Sequence, residues 1–191
     1  MPRFLKIFIL LLLPAFALGG CETPVRVQSL PELSYAHLGP LKLNVGKIEI
    51  ISEYRPPLKN PNVDHLFPTP PLKAIRQWAT DRLRAVGSSG VAKVVIRNAA
   101  AIETALAEKK GFKAAFTKQQ AFRYDMTLEA TVEIHARQGG GDAVAKATRF
   151  TTLGEAASVN ERNKVWLKLT ETLMRDFNAE MEKNLGPFLR R

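Results

Sequence analysis

The chain has 191 residues, of which 46% are hydrophobic and 24% charged, a balance that excludes a disordered or fibrous chain and fits an ordinary globular domain. Its formal net charge of +10 favours anionic partners. Its single cysteine excludes an intramolecular disulfide.

Residues 1–21 read MPRFLKIFILLLLPAFALGGC. Arg3 and Lys6 precede an apolar run from Ile7 to Leu13, and small residues follow at Gly19 and Gly20. A basic start, a short apolar core and small residues at the cut define a secretory signal peptide. Pro14 interrupts the run, which falls short of the roughly 20 apolar residues that span a bilayer. The tetrapeptide Leu18-Gly19-Gly20-Cys21 resembles the lipobox of bacterial lipoproteins. That resemblance implies removal of residues 1–20, a diacylglycerol on the Cys21 sulfur and acylation of the new amine, the palmitate-type anchor of that class. Two chains give stable attachment without a spanning helix, at about 0.8 kcal/mol per buried methylene. In such lipoproteins aspartate after the cysteine favours inner-membrane retention. Glu22 stands there instead, which implies the periplasmic side of the outer membrane, with the periplasmic face of the inner membrane as the alternative.

The expected layout is a signal peptide over 1–20, a lipidated tether over 21–40 marked by Pro24, Pro31 and Pro40, and a single domain over 41–191. Without Arg3 and Lys6 the mature chain keeps 26 Lys and Arg against 18 Asp and Glu. Outside the cytosol such a charge points to phospholipid, lipopolysaccharide or cell-wall anions. Nucleic acid is not an expected partner in that compartment.

Leu41 to Ile51 alternates as a first strand with a bulge at Gly46. Ser52 to Pro71 is a long Pro-rich loop carrying Tyr54, Asp64, His65, Leu66 and Phe67. A helix then starts near Thr69, with Leu72, Ile75, Ala79, Leu83 and Val86 as its apolar stripe and Gly87 as its stop. Val91 to Ala99 is a β-branched strand, and Ala100 to Ala107 continues it. Glu108 to Gln120 is polar and basic. From Phe122 to His135 apolar and polar residues alternate, the pattern of an antiparallel strand with one wet face. Gln138 to Asp142 forms the turn, and Ala143 to Leu153 returns beside it. Ser158 and Glu161 form a capping box for a helix over Val159–Leu185, whose apolar face is Val165, Trp166, Leu169, Leu173, Phe177 and Met181. The order predicts an α+β two-layer sandwich: a mostly antiparallel sheet of 4–5 strands with two amphipathic helices on one face.

Signs of catalysis are few. His37, His65 and His135 show no ligand spacing, and no GxSxG, SxxK or phosphate loop occurs. No metal or other cofactor is expected. Two segments suit binding. Lys109, Lys110, Phe112, Lys113, Phe116 and Lys118, with Arg123 nearby, interleave cations and aromatics as an anionic amphiphile or membrane surface would need. Leu66 and Phe67 offer an apolar tip in the Pro-rich loop. Over residues 41–188 the element order resembles small α+β outer-membrane lipoproteins, such as the lipopolysaccharide-assembly lipoprotein and the auxiliary lipoproteins of ABC-type lipid transporters. The expectation is a non-enzymatic accessory or assembly lipoprotein that binds an envelope protein complex or lipid. The alternatives are a cell-wall-acting enzyme using Asp64, His65 or Glu129, and a structural binder of anionic polymer.

Overall fold

A computed structural model describes residues 31–107, 120–137 and 139–190. β1 (Leu41–Leu43) and β3 (Leu83–Ala85) form a small parallel sheet. β2 (Lys47–Ser52), β4 (Val91–Ala105), β5 (Gln120–Ala136) and β6 (Gly139–Gly154) form a second sheet in the order β2-β4-β5-β6. β2 runs parallel to β4, and the remaining neighbours are antiparallel. Helix α1 (Pro71–Arg82) packs over β4, and α2 (Val159–Leu185) packs over β6 and β5. The result is the expected α+β two-layer arrangement.

The core follows from strand periodicity. On β5, Tyr124, Met126, Leu128, Ala130, Val132 and Ile134 are buried against the helices. Their neighbours Arg123, Asp125, Thr127, Glu129 and Glu133 occupy the other face, as a period of two requires. β6 presents a row of small residues, Ala143, Ala145 and Ala147, all buried. Small residues there let α2 lie close, so that Leu173, Phe177 and Met181 fill the space they leave. The α2 stripe recurs every three or four residues, and its start is fixed by the capping box. The Ser158 Oγ accepts from the Glu161 N–H at 3.2 Å, and the Glu161 carboxylate accepts from the Ser158 N–H at 2.8 Å.

A bulge at Arg97 inverts the parity of β4. Ala92, Val94 and Ile96 face the helices before it, and Ala99 and Ala101 do so after it. Arg97 itself joins the wet face, paired with Glu53 and with Glu133 at 3.2 Å. Beyond the end of β2, the Pro-rich loop covers the outer edge of β4. The Val63 N–H donates to the Ala101 carbonyl at 2.9 Å, and the Glu103 N–H donates to the Pro61 carbonyl at 2.9 Å. The loop therefore occupies edge groups that would otherwise be open for pairing.

Four expectations are corrected. Leu41–Ile51 is two strands in two sheets, because the Gly46 N–H bonds the carbonyls of Ser89 and Gly90, both at 3.0 Å, and turns the chain. The first helix ends at Arg82, since Leu83 is already extended and Leu83–Ala85 pairs with Leu41–Leu43. Its N-cap is Pro70 with no side-chain cap; the Thr69 carbonyl instead accepts the Thr170 hydroxyl at 3.4 Å. Gly139–Gly141 belong to β6, so the turn is tighter than expected and closes at Ala136 and Gly139.

Candidate functional site

Cys21 and the expected signal peptide lie outside the described residues, as do Lys109, Lys110, Phe112, Lys113, Phe116 and Lys118. The last described residues before the basic–aromatic segment continue the β4–β5 ladder, with the Leu106 N–H donating to the Ala121 carbonyl at 2.8 Å. The segment thus joins the far ends of the paired strands β4 and β5. A cavity of about 710 Å³ flanks its base, lined in part by Leu106, Phe122, Ala157, Glu155 and Glu161. Arg123, on β5 next to that base, bonds Asp125 at 2.7 Å and lays its guanidinium over the Phe150 ring at 3.8 Å. Phe150 is 58% exposed, so cation and aromatic form a surface pair on the uncovered sheet face.

The Pro-rich loop divides its two apolar tip residues. Leu66 is 55% exposed, whereas Phe67 is buried. Phe67 stacks on Trp166 at 4.4 Å, and Tyr124 meets the same indole edge-on at 5.3 Å. This cluster ties the loop to α2 and β5, leaving Leu66 as the accessible apolar group of the pair. Asp64 is buried and its neighbour His65 exposed. The Tyr54 hydroxyl and the Asp64 Oδ1 are both buried without a hydrogen bond of normal geometry. Burial first, and then the Asp64 charge, push the Tyr54 phenol above its ordinary range. Glu129 is held by Lys146 at 3.2 Å, its cross-strand neighbour. Asp64, His65 and Glu129 therefore sit in three separate environments. Among the described residues no three His, Cys, Asp or Glu side chains come together as metal ligands.

The sequence reading missed one organising group, Arg82. It is almost fully buried and donates to the carbonyls of Leu38 and Gly39, to Asn178 Oδ1 at 3.2 Å and to Glu182 at 2.7 Å. One residue earlier, Asp81 accepts the Tyr35 N–H at 2.8 Å. Together they clamp the segment leading in from the N-terminal side onto both helices. The position of Arg82 continues the buried stripe of α1, formed by Pro71, Ala74, Ile75, Trp78 and Ala79, but the acceptors that make a buried guanidinium tolerable come from distant segments. A cavity of about 450 Å³, lined in part by Leu33, Tyr35, Leu38, Met174 and Arg175, lies beside this clamp.

No known protein family matches the chain, and no curated protein matches it. Among solved structures, the rare lipoprotein B of Shewanella oneidensis aligns over 74% of this chain and 95% of its own length, with a TM-score of 0.39 and 7% sequence identity. A likeness of that size leaves function to be read from this chain itself. Among the described residues no helix is long and apolar enough to cross a membrane.

Proposed function

We propose that this chain is a lipid-anchored accessory or assembly protein of the bacterial cell envelope, without catalytic activity, that binds an envelope protein complex or lipid. The observation that carries the reading is Leu18-Gly19-Gly20-Cys21, which puts the only cysteine where a lipobox needs it, directly after a basic and apolar leader. The clamp at Asp81 and Arg82 supports it. Thirteen residues separate Cys21 from Tyr35, whose N–H is held by Asp81, and an extended chain spans at most about 3.6 Å per residue. The clamped domain is then held within roughly 50 Å of the lipid, a reach that lets its loops work at the bilayer surface. Glu22 favours the periplasmic side of the outer membrane.

Binding falls to Lys109, Lys110, Phe112, Lys113, Phe116 and Lys118, with Leu66 and Phe67 in the Pro-rich loop. Phe67 serves from within, by holding the loop through Trp166, while Leu66 offers the exposed contact. Photo-crosslinking in intact cells from Phe112 and from Leu66 tests this. Discrete adducts with one envelope protein or with anionic lipid are expected. An absence of adducts at both positions, with the protein correctly exported, contradicts it.

A further inference from the structure

We propose that the outer edge of β6, from Lys146 to Thr152, docks an extended, acidic and apolar segment of a partner protein, which joins the sheet as a fifth strand. The inference deepens the accessory-protein reading and takes from it only that a protein partner exists.

Among the described residues, β6 is hydrogen-bonded to β5 alone. The hairpin closes on the Ala136 and Gly139 pair, and hydrogen-bonded pairs alternate from there. By that count Val144, Lys146, Thr148, Phe150 and Thr152 turn their N–H and C=O groups away from β5. An independent contact agrees, since the Asn184 side-chain amide donates to the Val144 carbonyl at 2.6 Å from the outer side. Among the described residues it is the one side-chain hydrogen bond onto the β6 backbone. Past it, no other described residue bonds the outward N–H and C=O groups of Lys146, Thr148, Phe150 and Thr152. The free stretch of β4, by contrast, is covered by the Pro-rich loop, and the other edge strand, β2, has 6 residues against 16 in β6.

Side chains beside the edge define what fits. Between β6 and α2 runs a groove of about 240 Å³, lined by Arg149, Thr151, Val165, Lys168 and Leu169 among others, with no carboxylate in its walls. Its floor is apolar and its rim cationic. On the other face of the same edge stand Lys146 and the exposed Phe150, with Arg123 over its ring. Successive side chains of an added strand fall alternately on these two faces. Apolar residues then cover Leu169 or Phe150, and acidic residues meet Arg149, Lys168 or Lys146. The present partners of these cations are Asp176 at 2.6 Å, Glu171 at 3.3 Å and Glu129 at 3.2 Å. All three pairs are solvent-exposed in part, hence weak and open to exchange. A second copy of this chain would instead bring like charges from both edges together, which disfavours self-pairing.

The test uses the full chain in detergent micelles and a fluorescent peptide of alternating Glu and Val, with an alternating Lys and Val peptide as control. The acidic peptide is expected to bind and to slow hydrogen exchange in 139–154. The basic control binds about tenfold more weakly or not at all. Thr148→Pro removes one edge donor and is expected to weaken binding about tenfold. Lys168→Glu, on an exposed helix position, is expected to weaken it about threefold with the fold unchanged. Equal binding of both peptides, protection elsewhere than 139–154, or protection of 139–154 by self-association without peptide would each overturn the proposal. Cys21 acylation is measured in the same preparations. Normal acylation without peptide binding removes the edge proposal alone, whereas peptide binding without acylation removes the anchoring reading alone.

Discussion

Arg82 on α1 and Glu182 on α2 are joined at 2.7 Å, yet the Arg82 side chain is 2% exposed and the Glu182 side chain 51%. The pair is therefore lopsided: the guanidinium is committed to the interior and the carboxylate is half in water. What makes Arg82 tolerable inside is its set of neutral acceptors, the Leu38 and Gly39 carbonyls and Asn178. Asn178 also accepts the Trp78 indole N–H at 2.8 Å, so one short stretch of α2 organises two of the buried residues of α1, Trp78 and Arg82.

Removing the arginine should therefore cost more than removing its partner. Arg82→Met strips the hydrogen-bond donors from two carbonyls and from Asn178 and should lower stability by about 3 kcal/mol. Glu182→Gln keeps an acceptor at a half-exposed position and should cost about 1 kcal/mol or less. Urea denaturation of the two variants checks the order. An Arg82→Met protein as stable as the parent contradicts the clamp.

The alanine row of β6 makes a second prediction. Ala145 is fully buried under α2, so Ala145→Leu overfills that interface and should destabilise by about 1–3 kcal/mol. Phe177→Ala, on the helix side and in edge-to-face contact with Trp78 at 5.2 Å, should cost about 3–5 kcal/mol. Thermal melts of both variants suffice. Tolerance of leucine at 145 would mean that α2 does not lie close to this row.

These two cases show what was legible in the sequence. The whole of α2 could be read, from its capping box to Leu185, because cap and stripe are local. The β5 alternation was equally plain, since every second residue shares one environment. The division of Leu41–Ile51 was not legible. Gly46 turns there because it bonds Ser89 and Gly90, groups distant in sequence. The early end of α1 depends in the same way on β1 accepting Leu83–Ala85 as a neighbour. The buried role of Arg82 requires carbonyls from one segment and a carboxylate from another, so no local pattern announces it. Nor could Leu66 and Phe67 be told apart, because only the arrival of Trp166 decides which of two adjacent apolar residues is covered. The β6 edge was invisible for the same reason: strand order, rather than strand sequence, leaves it open.

Tyr35, Tyr54 and Tyr124 lead to a pH prediction. Burial raises all three phenols above their ordinary value, with nearby carboxylates adding to it. A group whose folded pKa is raised holds its proton longer in the fold than in the unfolded chain. Its contribution is complete below the unfolded value of about 10 and is lost as pH climbs above it. Denaturation midpoints should hold to about pH 9.5 and fall beyond it. The Tyr35 hydroxyl is buried without a hydrogen-bond partner. Tyr35→Phe should therefore be neutral or slightly stabilising at pH 7 and should shallow the alkaline decline. An unchanged alkaline slope in Tyr35→Phe contradicts this account of its burial.

Two glycines should respond in opposite ways. Gly90 has φ of +88°, and a Cβ there would stand 2.5 Å from the His135 carbonyl oxygen. Gly90→Ala should cost about 2 kcal/mol or more. Gly186 has an ordinary helical conformation with nothing within 4 Å of an added Cβ, so Gly186→Ala should be neutral or stabilising by up to about 1 kcal/mol. Matched denaturation curves decide, and equal effects at the two positions would contradict the close approach of the Gly90 turn to β5.

The anchoring of the chain through Cys21 is tested most directly by mass spectrometry of the mature N-terminus, with Cys21→Ser as the control. The parent protein should begin at a diacylated Cys21 and sediment with membranes, and the serine variant should remain unprocessed and without lipid. An unmodified Cys21, or a cut at another residue, would contradict the reading.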